Sequence, residues 1–276
     1  LGLPDNAKRL AKFAIRETAP ESMRVEAIRS LASWGSPSKL DRVEGRFRDL
    51  GSRSVEQIYD IFDQYIGNLL SSNSDAVREA TAEAISRLNY GNAAERLNRL
   101  ANDNSLSAKL RASAVEALYA IDADEVDSVV AKAIKAKSPL LRAAAVRVLA
   151  KRNAKSEELF SALTEALNGR DIREQQNAID VLGSLKSKEA IALLEIQTQQ
   201  LIQGATSSFL QLDILEAAKA NKGGKLSQMT FDYEKSRAVR ALADRFPELL
   251  NGGDAMVGES IFRTSYTAQC IRCHKL

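Results

Sequence analysis

The chain has 276 residues, a formal net charge of +3 at pH 7 and a sequence pI near 8.8. This charge is too small to require a nucleic acid or an anionic membrane as partner, and no run of about 18 apolar residues predicts a membrane-spanning helix. Because the chain begins without a methionine, we expect it to be a fragment of a longer protein, so the lack of a signal peptide excludes no compartment.

A short phrase recurs along the chain: alanine, a β-branched residue, two variable residues and leucine. It occurs within residues 24–31, 82–88, 112–118, 143–149, 177–182 and 236–242. The β-branched anchors Ile28, Ile85, Val115, Val146 and Ile179 are separated by 57, 30, 31 and 33 residues. The first gap corresponds to roughly two repeats, with a divergent unit at 54–70 inside it, and a weaker unit at 209–220 follows the last anchor. A period of this length predicts a repeat architecture.

Each repeat is predicted to contain two helices. Apolar residues recur three or four positions apart, which is the spacing of a helix and not of a strand. Ser138 and Pro139 predict an N-cap and a first-turn proline, and Asp171 with Glu174 resembles a capping box. No segment predicts a strand, so the chain is expected to be all-α.

A single short helical hairpin cannot bury its apolar face, so neighbouring hairpins must stack over one core. We therefore predict an α-solenoid over residues 1–250. The units resemble HEAT repeats, and the phrase LRxxAVxxL at 110–118 and 141–149 carries the resemblance. The resemblance implies a scaffold with a concave face that can take a protein ligand.

Arg24, Arg111 and Arg142 occupy the same position relative to their anchors. In stacked repeats this regularity favours a structural ladder of hydrogen bonds to neighbouring acids or carbonyls. Trp34, the only tryptophan, follows the first repeated helix and is predicted to pack in the core or between repeats.

Residues 132–155 contain eight basic residues and no acidic one. The favoured interpretation is a solvated face, and the alternatives are a docking patch for an acidic protein surface or a nucleic-acid site. Nucleic acid is disfavoured because the stretch has no aromatic residue for stacking. The basic residues are Lys132, Lys135, Lys137, Arg142, Arg147, Lys151, Arg152 and Lys155.

Pro247 and the pair Gly252-Gly253 predict that the solenoid ends near residue 250. A separate segment, 251–276, then carries both cysteines and the only histidine, as Cys270, Cys273 and His274. Cys-x-x-Cys-His is the attachment signature of c-type haem.

In such a site, Cys270 and Cys273 would form thioethers with the haem vinyl groups and His274 would be the proximal iron ligand. Three alternatives remain open for the motif. It could be half of a zinc site, with the two thiolates and the imidazole as ligands, or a chance arrangement. A redox dithiol is the third, although such pairs usually follow a strand.

Residues 253–276 resemble the opening of a class I cytochrome c domain. The matching residues are Gly253, Asp254, Ala255, Gly258, Ile261 and Phe262. The resemblance implies a truncated first helix in which Gly258 and Phe262 pack, and a glycine inside a helix also suggests a close backbone contact. Met23, Met229 and Met256 all precede the motif and do not match the family's second ligand. Met256 is expected to pack in the helix, and this chain alone is not expected to bind haem in the native manner.

A helical-repeat region followed by a cytochrome c domain resembles the large haem-binding proteins of planctomycetes and related bacteria, in which a propeller similar to sugar dehydrogenases comes first. The resemblance implies an electron carrier with haem c, a redox partner or adjoining dehydrogenase domain, and a periplasmic or exported location. The alternative is a non-catalytic protein-interaction scaffold with an incidental or zinc-binding terminal motif. No catalytic residue is predicted, because the only histidine is already assigned to the motif.

Overall fold

A computed structural model describes residues 3–40, 46–153, 155–221, 224–237, 246–265 and 267–274, with the backbone alone at Met256. Within these ranges the chain forms fourteen α-helices and no β-strand, which confirms the all-α prediction. No helix in the same ranges is long and apolar enough to span a bilayer.

The helices follow one another along the chain and are short, at 8 to 15 residues. They are α1 (Pro4–Ala14), α2 (Glu21–Ala32), α3 (Tyr59–Leu70), α4 (Asp75–Leu88), α5 (Ala94–Asn102), α6 (Ala108–Ala120), α7 (Val126–Ala133), α8 (Pro139–Arg152), α9 (Glu157–Leu167), α10 (Ile172–Ser184), α11 (Lys188–Ile202), α12 (Gln211–Ala220), α13 (Gly224–Arg237) and α14 (Ala255–Thr264).

The chain divides into two compact units, one of Leu1–Lys132 with Met256–Leu276 and one of Ala133–Ala255. In the first unit α4 packs between α2 and α6, while α1, α3 and α5 pack against their neighbours from a second layer. In the second unit α10 packs between α8 and α12, and α9, α11 and α13 form the second layer. The fold is an α-solenoid of HEAT-like two-helix repeats. Within each unit we name the layers separately: the inner-layer helices are α2, α4 and α6 in the first unit and α8, α10 and α12 in the second, and the outer-layer helices are α1, α3 and α5 in the first and α9, α11 and α13 in the second.

The predicted anchor residues all lie in inner-layer helices and are buried, as the repeat pattern predicted. Inner-layer helices bury residues on several sides; α8, for example, buries Ala143, Ala144 and Ala145 in a row. Their small side chains let neighbouring helices approach closely. Outer-layer helices bury only one stripe: in α5 only Leu97 and Ala101 are buried. The repeated Ala-β-branched-x-x-Leu phrase therefore indicates a helix that packs against neighbouring helices on both sides.

The interpretation of the 57-residue gap between Ile28 and Ile85 as roughly two repeats is wrong. Helices α2 and α4 pack directly against each other, so the gap holds one outer-layer helix, α3, and an insertion at 33–55 whose described residues, 33–40 and 46–55, form no α-helix. The predicted unit at 54–70 corresponds to a 3₁₀ turn at Glu56–Ile58 and α3. The weaker unit at 209–220 forms α12, whereas most of the phrase at 236–242 lies outside the described residues.

The insertion is closed at its base. The Arg53 N–H donates to the Gly35 carbonyl at 3.0 Å, and the Arg53 guanidinium lies 4.4 Å from the centroid of the Trp34 ring. Trp34 is buried, which confirms its predicted packing role. Further along, Leu40 and Phe47 form an isolated antiparallel bridge, and buried Leu40 fixes the insertion to the core.

Two predicted helix starts differ from their expected chemistry. The Asp171 carboxylate accepts from the Glu174 N–H at 2.9 Å, as an N-cap does, but the Glu174 carboxylate pairs with Arg142 instead of closing a capping box. Ser138 occupies the N-cap of α8 without a side-chain cap bond, and Pro139 is the first helical residue.

Near the end of the solenoid, Pro247 opens a 3₁₀ turn and Gly253 has a φ of 93°. The division into domains 1–250 and 251–276 remains a prediction.

Candidate functional site

The predicted haem motif lies in a short turn after α14. Gln269 has a left-handed φ of 51°, and residues Cys270–Arg272 form a 3₁₀ turn. The Cys270 carbonyl accepts from the Cys273 N–H at 3.2 Å and from the His274 N–H at 3.0 Å. Residues three apart in a 3₁₀ turn project from the same side. The turn therefore presents both thiols to one side, with the imidazole next in the chain.

The three motif side chains are accessible. Cys270 is half-buried, Cys273 and His274 are exposed, and both thiols are free. Two accessible thiols on one side of a turn, followed directly by an imidazole, fit the donor set that covalent haem attachment requires. The zinc alternative lacks an assembled ligand set, since the described residues contain no cluster of three His, Cys, Asp or Glu placed to hold a metal ion.

Helix α14 presents apolar side chains to solvent. Val257 and Ile261 are exposed and Phe262 is half-buried. The close backbone contact predicted at Gly258 is not found among the described residues, because no heavy atom lies within 4 Å of the position that a Cβ would take. The Met256 side chain lies outside the described residues, so its predicted packing role stays a prediction.

The polar side of α14 contains a local ion pair. Arg263 Nε donates to Glu259 Oε1 at 2.7 Å. This hydrogen bond lowers the pKa of Glu259, and the charges of Arg263 and of Arg29 in α2 act in the same direction. The helix is therefore apolar on one side and charged on the other.

The predicted arginine ladder is confirmed. Each arginine Nε or Nη1 donates to a carbonyl in or just after the last turn of the preceding helix, where carbonyls lack helical partners. The bonds are Arg24 to Ala14 at 2.8 Å, Arg111 to Ala101 at 3.1 Å and Arg142 to Ala136 at 2.8 Å. The arginine four residues before the anchor therefore has a structural role in all three repeats.

Gln175 performs the same role and was missed. Its Nε2 donates to the Leu167 carbonyl at the end of α9, at 3.0 Å. The signal was present, since Gln175 precedes its anchor Ile179 by four residues, as Arg142 precedes Val146. The equivalence was missed because this repeat has glutamine where the other three have arginine.

Two of the ladder arginines also bind carboxylates. Arg24 Nη2 lies 2.7 Å from Glu17 Oε1, and Arg142 binds both oxygens of Glu174 at 2.6 Å. The hydrogen bonds with Glu174 raise the pKa of Arg142, and those from Arg24 and then Ser72 lower the pKa of Glu17.

The structure removes Arg142 from the basic stretch at 132–155, because Glu174 compensates its charge. Lys132 donates to the Asn102 side chain at 3.0 Å in the first unit. The exposed basic residues of the stretch in the second unit are Lys135, Lys137, Lys151, Arg152 and Lys155. This agrees with the interpretation of the stretch as largely a solvated face.

A cleft that no sequence motif marked lies in the first unit, between the C-terminal half of α3 and the outer-layer helix α5. It is open, with a volume of about 500 Å³. Its lining residues are Gly67, Asn68, Leu70, Ser71, Arg96, Arg99 and Leu100. The lining therefore combines two exposed arginines with a helical glycine, Gly67.

Comparison with known proteins supports the repeat assignment. A family model described as HEAT repeats matches residues 126–200, which span α7 to most of α11. No curated protein matches the chain. Among solved structures, human deoxyhypusine hydroxylase in complex with glycerol is 14% identical, with a TM-score of 0.40, and the match covers 97% of this chain and 96% of that one. Residues 126–200 are therefore similar to HEAT repeats and lie within a longer series of similar helical hairpins. Residues 251–276 lie outside the matched range.

Proposed function

We propose that this chain is a non-catalytic scaffold that binds a protein partner through its outer-layer helices. One observation carries the proposal: inner-layer helices are buried on several sides, whereas outer-layer helices bury a single stripe and present the rest of their surface to solvent. HEAT repeats, matched at residues 126–200, are consistent with an interaction scaffold.

The stacking also makes the exposed surface rigid. Inner-layer residues such as Ile85 and Leu118 are fully buried, and each such side chain stabilises the fold by about 1.5–3 kcal/mol. The outer-layer helices are fixed on this core, so a partner meets a surface that is already ordered. Binding then costs less conformational entropy than binding to a loop would.

The test is selection of ligands from a displayed library of random peptides of about twelve residues, roughly 40 Å when extended. Enriched peptides are synthesised with a fluorescent label and titrated by anisotropy. We expect saturable binding to the folded chain and none to the heat-unfolded chain. If none of the enriched peptides shows saturable binding that depends on the folded chain, the scaffold proposal is overturned.

A second function, covalent haem attachment, is favoured by the geometry of the terminal turn. We propose that Cys270 and Cys273 hold a c-type haem through thioethers and that His274 provides the proximal imidazole. When bound, the haem iron supplies one-electron transfer. The observation in favour is that both thiols are free and accessible, Cys270 at the start of the 3₁₀ turn and Cys273 at its C-cap. A redox partner and a periplasmic or exported location are parts of the same proposal.

The haem test asks only whether the thioether bonds form, because native haem binding by this chain alone is not expected, whereas the attachment signature is complete in it. It uses the 276-residue chain exported to the periplasm of a bacterial host with a cytochrome c maturation system. A denaturing gel stained for haem peroxidase activity should show a band at 30.2 kDa that disappears in Cys270→Ala/Cys273→Ala. A matured control cytochrome in the same cells validates the stain. An unstained wild-type band beside a stained control overturns the proposal, and stoichiometric zinc in that protein would establish the zinc alternative.

A further inference from the structure

We propose that the cleft between α3 and α5 is a docking groove for an acidic peptide segment of the protein partner. This inference rests on the proposed scaffold function. It specifies where the partner binds and which chemical groups of the partner are recognised. The cleft lies in the first unit and is bordered on one side by the last turn of α3.

The charge of the cleft favours carboxylates. Arg96 and Arg99 border it from α5, and none of its lining residues is acidic. Arg99 Nη1 lies 3.3 Å from Glu95 Oε1, but both side chains are exposed, and such i,i+4 pairs are weak and readily exchanged. Arg96 makes no hydrogen bond or ion pair within the described ranges. Both guanidinium groups are therefore available to a ligand, and planar guanidinium binds carboxylate with two parallel hydrogen bonds.

The opposite wall of the cleft favours a peptide over a simple anion. It is formed by the C-terminal end of α3, where the helix dipole is negative. The Gly67 and Leu69 carbonyls there accept from the Ser71 and Ser72 N–H groups, whereas the Asn68 and Leu70 carbonyls have no backbone partner among the described residues. This wall needs hydrogen-bond donors and disfavours inorganic phosphate or a nucleic-acid backbone, which offer acceptors. A peptide supplies N–H donors for the carbonyls and carboxylates for the arginines. The side-chain amide of exposed Asn68 can bind either peptide group.

Gly67 keeps the cleft open. Glycine is, after proline, the least favourable residue for the interior of a helix. Packing against the described residues does not require it here, because outside its own helix backbone and chain neighbours none of their heavy atoms lies within 4 Å of the position that its Cβ would take. Without a side chain at this position, a peptide backbone can approach the surface of α3 closely.

The experiment uses the peptides enriched from the random library and the full chain. Enriched peptides should contain an excess of Glu and Asp, and Arg96→Glu/Arg99→Glu should weaken their binding at least about tenfold. Arg87→Glu is the matched control, since Arg87 is an exposed α4 residue paired with Glu83 at i,i+4 just as Arg99 is with Glu95. It should leave the Kd within about twofold.

Filling the cleft provides the second arm. Gly67→Leu should weaken peptide binding at least about tenfold without lowering the unfolding temperature, because the new side chain occupies open space. Gly258→Leu is the control, since Gly258 also lies in a helix with open space at its Cβ position. Peptides that bind the wild-type chain but keep their affinity for either cleft variant overturn the groove and leave the scaffold proposal intact. Absence of any binding peptide overturns both.

Discussion

At the scale of single residues, the stack is held by polar groups that reach from one helix to the next. Arg142 is the best example: it binds the Glu174 carboxylate through two nitrogens and also donates to the Ala136 and Lys137 carbonyls. The Glu174 side chain is only 7% exposed. A buried carboxylate is tolerated when its charge is paired and its oxygens are hydrogen-bonded.

Arg142→Ala should therefore lower the free energy of unfolding by about 2–3 kcal/mol, because it leaves the Glu174 carboxylate buried without its cation. Urea denaturation followed by circular dichroism measures the change. Arg87→Ala is the control, since the Arg87–Glu83 pair is exposed, and its cost should stay below about 0.5 kcal/mol. Equal costs for the two variants would show that the buried pair contributes no more than a surface pair.

Tyr90 makes stability depend on alkaline pH. Burial raises the pKa of Tyr90 to about 12, with a further contribution from its hydrogen bond to the Asp63 carboxylate. Its ring also packs edge-on against Tyr59 and Phe62. In the unfolded chain the hydroxyl titrates near pH 10, so the folded state loses stability as the pH rises from 10 to 12.

The free energy of unfolding should fall by roughly 2 kcal/mol between pH 10 and pH 12, and ionisation of Tyr90 should cause no loss below pH 10. Denaturant titrations at a series of alkaline pH values measure it. Tyr90→Phe is matched in shape and cannot ionise, so the difference between the two proteins isolates this hydroxyl from the other tyrosines. A constant difference from pH 9 to pH 12 would contradict the prediction.

The residue-scale features could be predicted only in part. The offset of four residues from the anchors predicted the roles of Arg24, Arg111 and Arg142, because the offset fixes where a side chain leaves the helix. It could not identify Glu174 as the partner of Arg142, since that choice depends on how α8 and α10 pack. The cleft has no motif, because its residues come from two helices and share no spacing.

At the scale of elements, two helical glycines illustrate how packing decides the effect of one methyl group. A Cβ at Gly183 in α10 would lie 2.9 Å from both the Cα and the Cβ of Ala217 in α12. A Cβ at Gly67 in α3 would meet no neighbouring group within 4 Å in the part of the chain that the structure describes. The first glycine sets the closest approach of two inner-layer helices, whereas the second faces open space.

The same substitution should therefore have opposite signs at these positions. Gly183→Ala should destabilise the chain by about 1–3 kcal/mol, because α10 and α12 must separate. Gly67→Ala should stabilise it by about 0.5–1 kcal/mol, since alanine is the better helix former. Chemical denaturation of both variants gives the two values. A stabilising Gly183→Ala would mean that the helices can separate at no cost.

The sequence predicted the inner-layer helices well because buried neighbours on several sides demand small and β-branched residues in a fixed pattern. It predicted the number of repeats in the first gap wrongly, because counting residues assumes a constant period. The insertion at 33–55 breaks that period and carries no pattern of its own. The close contact predicted at Gly258 is not found among the described residues, because a glycine in a helix indicates that space is available and not what fills it.

At the scale of the whole molecule, the fold depends on repeated contacts between neighbouring hairpins, so an insertion between hairpins is tolerated when its ends meet. The Arg53 N–H and the Gly35 carbonyl are 3.0 Å apart, and α2 and α4 pack together without the intervening residues. Long loops of this kind within compact domains are usually functional. The insertion is thus an addition to the repeat array and not one of its units.

Replacement of residues 36–52 by two glycines should consequently leave a folded, cooperative chain. The deletion keeps Trp34 and Arg53, and hence their stacking, but removes Leu40, which is 2% exposed. Loss of that burial should lower the free energy of unfolding by about 1–3 kcal/mol. Circular dichroism should show the same helix signal per molecule as the parent chain. Urea titration should show a transition as sharp as that of the parent chain. A broad transition or a large loss of helix would show instead that the insertion is needed to align α2 with α4, and the period of the stack would then depend on it.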